Sequence, residues 1–308
     1  MKDTKQNKKM IGIVGLGKMG AGIARQLHEK GWNVCGYNRS APTRATLAQE
    51  GIETVATLEE LVERIPVPRT IWLMVPAKKP THEMLFGKVG LATLLAKGDS
   101  VIDGGNSFYK DSVVNGKKLA KYGIKFMDVG FSGGPSGARN GGCLMIGGDA
   151  TLFNKYETLF KDLSRPGAYK FFKGVGAGHF VKMVHNGIEY GMMQALAEGF
   201  AVLKKSPYKL DLTRVAEIYN NGSVIESRLV GWMKGAFETY GADLKKVSGT
   251  VAHTGEGQWT VQIAKSLKVP AQVIGASFKF RVDSVKKQSY TGKLLSALRN
   301  QFGGHAVK

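Results

Sequence analysis

The stretch that most constrains this chain is Gly15-Leu16-Gly17-Lys18-Met19-Gly20. It follows the apolar run MIGIV (10–14) and opens AGIARQLHEKG, whose apolar residues recur at helical spacing and which Gly31 closes. A second apolar run, WNVCGYN (32–38), comes next. Strand, glycine turn, helix, strand is one βαβ unit. In that setting Gly15 permits a tight turn, Gly17 lets a pyrophosphate approach the backbone, and Gly20 lets helix pack on strand. The helix N-terminus then offers its unpaired N–H groups to phosphates. The stretch marks a dinucleotide site; a glycine turn of purely structural purpose is the alternative.

The alternation continues through TIWLMVPA (70–77), SVIDGGNS (100–107) and IKFMDVGFSGG (124–134), with a further strand expected in GGCLMIGGD (141–149). Apolar runs separated by helical patterns predict a parallel sheet covered on both faces. After Gly178 the rhythm changes. Residues 179–205 carry no turn signal long enough to break them, so they predict one helix of about 40 Å at ~1.5 Å per residue. Its internal Gly187 and Gly191 would allow close backbone approach. LTRVAEIYNNG, SRLVGWMKGAFETY, EGQWTVQIAKSLKV and TGKLLSALRNQF also read as helices. The expected fold is an α/β Rossmann-type dinucleotide-binding domain over 1–177, with 1–9 a flexible tail, followed by an all-α domain over 178–308. At 308 residues, two domains fit better than one.

No run of ~18 apolar residues suggests a membrane span. The lysine-bearing N-terminus lacks the apolar stretch of a signal peptide. The two cysteines, Cys35 and Cys143, lie in separate segments and suggest neither a disulfide framework nor a metal cluster. A cytoplasmic protein without metal is the expectation. The net charge of +20 would suit nucleic acid. The lysines are dispersed, however, and match no nucleic-acid-binding pattern. Polyanionic small molecules, or nothing beyond a well-solvated surface, explain the charge equally well.

The end of the second strand bears on which dinucleotide is bound. An acidic residue there would hold the ribose hydroxyl of NAD, whereas this chain has Tyr37-Asn38-Arg39-Ser40. Asn38 does not repel a 2′-phosphate, Arg39 can fork onto one, and Ser40 can donate beside it. NADP is favoured, with NAD as the alternative.

Two glycine-rich loops, Asp103 to Ser107 and Phe131 to Gly137, follow predicted strands, at the ends where open α/β sheets bind ligands. Asn106, Ser132, Gly133 and Gly134 supply neutral donors and bare N–H groups suited to carboxylates or hydroxyls. Farther on, Lys182, His185, Asn186 and Glu189 fall on one face of the long helix at ~100° per residue. That mix of lysine, imidazole, amide and carboxylate suits proton transfer; a solvated face is the alternative.

Taken together, GLGKMG, YNRS, MVPA, DGGNS, FSGGPSGAR and GAGHFVKMVHNGIEYGMMQ closely resemble the 6-phosphogluconate dehydrogenase family, in the short form that lacks the second helical repeat. The resemblance implies oxidative decarboxylation of 6-phosphogluconate in the pentose phosphate pathway, with Lys182 as base and Glu189 as acid. It implies cofactor contacts at Gly15, Leu16, Gly17, Lys18, Met19, Gly20, Asn38, Arg39, Ser40, Val75, Pro76, Ala77 and Asn106. Substrate contacts are implied at Asn106, Ser132, Gly133, Gly134, His185, Asn186 and Tyr190. Arg281 matches a phosphate-binding arginine. Arg299 and His305 match a tail that reaches a neighbouring subunit's site, which implies at least a dimer. One departure stands out. Gln258 occupies a place where the family has a lysine or arginine, removing one positive charge from the expected phosphate site.

Two rivals remain. A β-hydroxyacid dehydrogenase of the 3-hydroxyisobutyrate type shares the fold and a lysine at position 182, but not the set His185, Asn186 and Glu189. A nucleic-acid-binding protein on a dehydrogenase fold would explain the charge and not the polar stripe.

Overall fold

The computed structural model describes residues 9–307. Of the tail expected over 1–9, residues 1–8 lie outside the described residues. The strands are β1 (Met10–Val14), β2 (Asn33–Tyr37), β3 (Glu53–Val55), β4 (Thr70–Leu73), β5 (Ser100–Asp103), β6 (Lys125–Ser132), β7 (Gly142–Gly148) and β8 (Ser164–Lys173). Among them run α1 (Lys18–Glu29), α2 (Ala41–Gln49), α3 (Leu58–Arg64), α4 (Lys79–Phe86), α5 (Leu91–Leu94), α6 (Tyr109–Ala120), α7 (Gly134–Asn140) and α8 (Ala150–Leu163). The chain continues through α9 (Ala177–Lys205), α10 (Leu212–Tyr219), α11 (Arg228–Tyr240), α12 (Glu256–Ser266), α13 (Gln272–Ser284) and α14 (Tyr290–Gly303). It divides into two compact units between Lys182 and Met183, inside α9.

The first unit is built on one sheet of order β3-β2-β1-β4-β5-β6-β7-β8. Pairing is parallel from β3 through β6, antiparallel between β6 and β7, and parallel again between β7 and β8. The wholly parallel sheet expected from the apolar runs is thus corrected at β7. Only residues 133–141, which hold the seven-residue α7, separate β6 from β7, too little for the crossover of a dozen or more residues that parallel neighbours need. The central strands β1, β4, β5 and β6 are buried on both faces, as the runs require. Ile11, Ile13, Trp72, Ile102 and Val129 belong to one core, and Val14, Cys35, Ile71, Leu73 and Val101 to the other. On α1, Ile23, Ala24 and Leu27 face the first of these cores.

The regular elements of the second unit are all helices among its described residues. Its core joins Met193, Ala197 and Phe200 of α9 to Leu229, Met233 and Phe237 of α11 and Leu294, Leu295 and Leu298 of α14.

Burial separates the two cysteines. Desolvation, helped by the charge of Glu53, pushes the Cys35 thiol up to about 12, while Cys143 is exposed. Thiolate is the reactive form, so an aromatic disulfide reagent at mildly alkaline pH should modify Cys143 alone in the folded protein. Cys35 should react only after denaturation, and rapid labelling of both thiols under native conditions would contradict this.

Candidate active site

In the first unit, β1, β2, β4, β5 and β6 run parallel and so bring their carboxyl ends to one edge of the sheet. The expected dinucleotide residues gather at that edge. Gly15 adopts φ 93°, and a side chain there would strike the backbone of Met74 and, at 2.9 Å, Val75 Cγ1. At Gly20 a side chain would run into the carbonyl of Gly15. Gly17 caps α1, and a Cβ built there meets nothing within 4 Å. This is the cradle that a pyrophosphate needs: closed behind by glycine contacts and open where Gly17 faces outward.

The turn after β2 is organised by its own side chains. The Leu16 N–H donates to Asn38 Oδ1 at 3.2 Å, tying the glycine loop to this turn. Arg44, in the first turns of α2, donates to the carbonyls of Asn38 (2.6 Å) and Arg39 (3.0 Å). Thr43 donates to Ser40 Oγ at 3.2 Å. Arg39 and Ser40 are exposed. Sequence reasoning missed Arg44 and Thr43; the signal was their place in the helix immediately after Arg39-Ser40. Val75, Pro76 and Ala77 follow β4, where the Pro76 carbonyl accepts from Thr81 Oγ1 at 2.9 Å.

The loop after β5 is braced from beneath. Asp103, fully buried, accepts from the Gly105 N–H (3.0 Å) and from Ser107 Oγ (2.8 Å), and the exposed Asn106 sits between those anchors. β6 ends at Ser132, and Gly133 (φ 131°) and Gly134 (φ 60°) follow, all three partly buried.

Lys182 belongs to this unit too. The start of α9 is seated by Asp128 of β6, whose carboxylate accepts from the N–H groups of Gly176 (2.6 Å) and His179 (2.8 Å). Burial pushes the Asp128 carboxyl up, while His179 and these two donors act against that shift. The His179 ring meets Ser112 Oγ at 2.7 Å. The backbone can approach so closely because Gly178 lies against the strands; a Cβ there would come within 2.6 Å of the Gly147 nitrogen. Likewise, a Cβ on Gly130 would collide with the stem of Lys182. Lys182 is thereby held over β6 at Gly130, two residues before Ser132 in the strand.

In the second unit a polar cluster is assembled from α9, α12, α13 and α14. Asn186 is buried and places Oδ1 2.9 Å from His185 Nδ1; its Nδ2 donates to Glu256 Oε1 at 3.1 Å. Glu189 Oε2 lies 3.8 Å from the same His185 nitrogen. α12 crosses α9 at Gly187, where a Cβ would come within 2.6 Å of Thr260 Cγ2, and Thr260 donates to the Met183 carbonyl at 2.8 Å. Tyr190 packs on Gly257, which has no room for a side chain against the ring.

Arg281 is 2% exposed. Its close neighbours are the Tyr190 ring, 3.4 Å from Cζ, and the Met193 sulfur at 3.6 Å. Desolvation brings its guanidinium down to about 10; Tyr190 opposes the shift and Arg299 adds to it. Burial also lowers Arg299, which Tyr190, Glu256 and Glu189 partly restore. Arg281 and Arg299 are thus two buried cations beside a phenol, with Glu189 and Glu256 as the acidic groups that act on both. For the same reason of burial the Tyr190 hydroxyl is raised.

Gln258 is exposed, whereas Glu256, two residues earlier on α12, is buried in the cluster. A step of two residues turns ~200° around a helix, so only one of them can face inward. Nothing in the local sequence marks Glu256, because its partner Asn186 stands on another helix, α9. Arg299 is buried in its own unit, electrostatically coupled to Tyr190 of the same chain. The tail also folds back within that unit: the His305 carbonyl accepts from Asn300 Nδ2 at 2.9 Å, and the Val307 carbonyl accepts from the Ser248 N–H at 2.7 Å.

No helix among the described residues is long and apolar enough to cross a membrane.

The family model described as the NAD binding domain of 6-phosphogluconate dehydrogenase matches residues 10–187, and that of the enzyme's C-terminal domain matches 178–301. A Haloferax volcanii protein named NAD(+)-dependent, decarboxylating 6-phosphogluconate dehydrogenase is 37% identical over 96% of this chain and 98% of its own length. The decarboxylating 6-phosphogluconate dehydrogenase of Staphylococcus aureus is 34% identical, and this chain spans 66% of it. Among solved structures, Plasmodium falciparum 6-phosphogluconate dehydrogenase, studied with NADP+ and with 6-phosphogluconate, superposes with a TM-score of 0.78 at 25% identity. That match covers 94% of this chain and 69% of the Plasmodium chain. A Salmonella typhimurium 3-hydroxyisobutyrate dehydrogenase has a TM-score of 0.74 at 20% identity, covering 93% of this chain and 99% of its own, a likeness of fold alone. With both of its parts matched and its length that of the shorter relatives, the chain belongs to the 6-phosphogluconate dehydrogenase family, in its short form.

Proposed function

We propose that this protein oxidises and decarboxylates 6-phosphogluconate to ribulose 5-phosphate and CO2, using NADP in preference to NAD. The observation that carries the reading is the helix α9, which bears Lys182 seated over β6 and, beyond it, the hydrogen-bonded His185–Asn186 pair with Glu189. A simple 3-hydroxyacid dehydrogenase has no need of that second group. The division of labour assigns dinucleotide binding to 1–177, and substrate binding and oligomerisation to 178–308.

A bound nicotinamide dinucleotide supplies the hydride acceptor. Lys182, in its neutral form, takes the proton of the C3 hydroxyl as the hydride leaves C3. The product is a 3-keto acid. Its C1–C2 bond then breaks, CO2 departs, and the electron pair flows into the ketone, whose developing negative oxygen the now protonated Lys182 stabilises. Glu189 gives a proton to the carbon that becomes C1 of ribulose 5-phosphate. Asn106, Ser132, Gly133, Gly134, His185 and Asn186 hold the carboxylate and hydroxyls, while Tyr190, Arg281 and Arg299 hold the phosphate. A homo-oligomer, at least a dimer, and a cytoplasmic location are proposed with this reading. Exposed apolar side chains of the helical unit, among them Ile188, Met192 and Val273, support the oligomer.

The decisive experiment supplies 6-phosphogluconate with NADP or NAD and follows dinucleotide reduction and CO2 release together. Equal yields of reduced cofactor and CO2, with NADP preferred, are expected. Arg39→Ala should shift the NADP/NAD ratio of kcat/KM by about tenfold or more toward NAD, the scale of losing one charge-assisted contact. No reduction with either cofactor would defeat the activity; an unchanged ratio in the variant would defeat the role of Arg39.

A further inference from the structure

Glu256 has no part in the reaction just described, yet it is 3% exposed and sits at the start of α12 among the groups that carry it. Its Oε2 accepts from Thr254 Oγ1 at 2.6 Å, and its Oε1 accepts from Asn186 Nδ2 at 3.1 Å. The consequence follows from hydrogen-bond chemistry alone. A carboxylate can only accept, so Asn186 must turn its amide nitrogen toward Glu256. The amide oxygen then faces His185 Nδ1 at 2.9 Å. A carbonyl oxygen also only accepts, so Nδ1 must carry the hydrogen. The Glu189 carboxylate, 3.8 Å from that nitrogen, favours the same choice. In a neutral imidazole the lone pair is then left on Nε2.

We propose that Glu256 is a positioning residue which, through the orientation of the Asn186 amide, fixes neutral His185 as its Nδ1–H tautomer and so presents Nε2 as an acceptor for a hydroxyl of the sugar acid. The inference rests on the reading of His185 as a substrate contact. It extends that reading from where the ring lies to which nitrogen is protonated. Free histidine favours the opposite tautomer, in which Nε2 would be a donor, so the relay reverses an intrinsic preference. The carboxylate is not an isolated charge: it acts electrostatically on both Arg281 and Arg299.

The test is nitrogen NMR on the intact enzyme carrying labelled histidine, with the His185 signals assigned by their loss in His185→Gln. Above the ring's titration, wild type should show Nδ1–H. Glu256→Ala removes the acceptor, frees Asn186 to turn, and should convert His185 wholly or partly to Nε2–H. KM for 6-phosphogluconate should rise about tenfold, the scale of one hydrogen bond, with KM for the dinucleotide unmoved. Glu256→Gln still offers an oxygen to Asn186 and a donor to Thr254, so it should keep the Nδ1–H tautomer; a residue needed only for its charge would not be replaced in this way. Nε2–H in wild type overturns the proposal, even if the alanine variant fails to fold, and so does an Nδ1–H tautomer that survives Glu256→Ala. An unaltered KM in His185→Gln would instead defeat the assignment of His185 to substrate, leaving the tautomer result to stand or fall on its own.

Discussion

Replacing Lys182 with alanine should lower kcat by about 10³-fold, within the range of a lost general base, while the dissociation constant for the dinucleotide stays within about twofold. The asymmetry is the informative part. The glycine cradle, the Asn38 turn and the Asp103-braced loop are all built without Lys182. Its removal should therefore leave cofactor binding intact, as a fluorescence titration with the reduced dinucleotide can check. Lys182→Arg should be nearly as inactive, since a guanidinium keeps its proton and cannot serve as the base. Turnover near the wild-type rate in either variant would remove Lys182 from the mechanism. Unaltered melting temperatures should accompany both losses, because the start of α9 is seated by Asp128 and not by the lysine.

The second large effect belongs to Arg281. Truncating a buried charged partner of a ligand costs about 2–5 kcal/mol, so Arg281→Ala should raise KM for 6-phosphogluconate by about a hundredfold. The loss should be selective for the phosphate. Gluconate, which lacks that group, should be used by the variant about as poorly as by wild type, so discrimination between the two substrates should collapse. Arg281→Lys should recover little, because an ammonium cannot lie flat on the Tyr190 ring as the guanidinium does. A KM for 6-phosphogluconate unchanged in Arg281→Ala would move the phosphate elsewhere in the cluster.

Legibility in the sequence followed local pattern. β1, β2, β4, β5 and β6 were visible because strands buried on both faces are nearly continuous apolar runs. β3 was missed because three residues, Glu53–Val55, hold no periodicity. β8 was missed because Arg165, Pro166, Gly167 and Lys170 read as a loop. Helix α13 escaped because Phe278, Lys279, Phe280 and Arg281 alternate like a strand, and only tertiary burial of Arg281 and Ser277 explains that face. At the site, residues within one motif were readable from spacing. Those brought in by packing were not: Glu256 reaches Asn186 across 70 positions of sequence, and no local signal announces that distance.

Strand β8 has one further consequence. As the last strand of the sheet it leaves a ten-residue edge, and such an edge is a template for pairing with another chain. Pro166 deletes one of its donors, and Arg165, Lys170 and Lys173 stand exposed along it. Two molecules approaching edge to edge would bring these like charges together. Part of the chain's large positive excess thus guards against aggregation, keeping crowded copies apart while the sheet remains open.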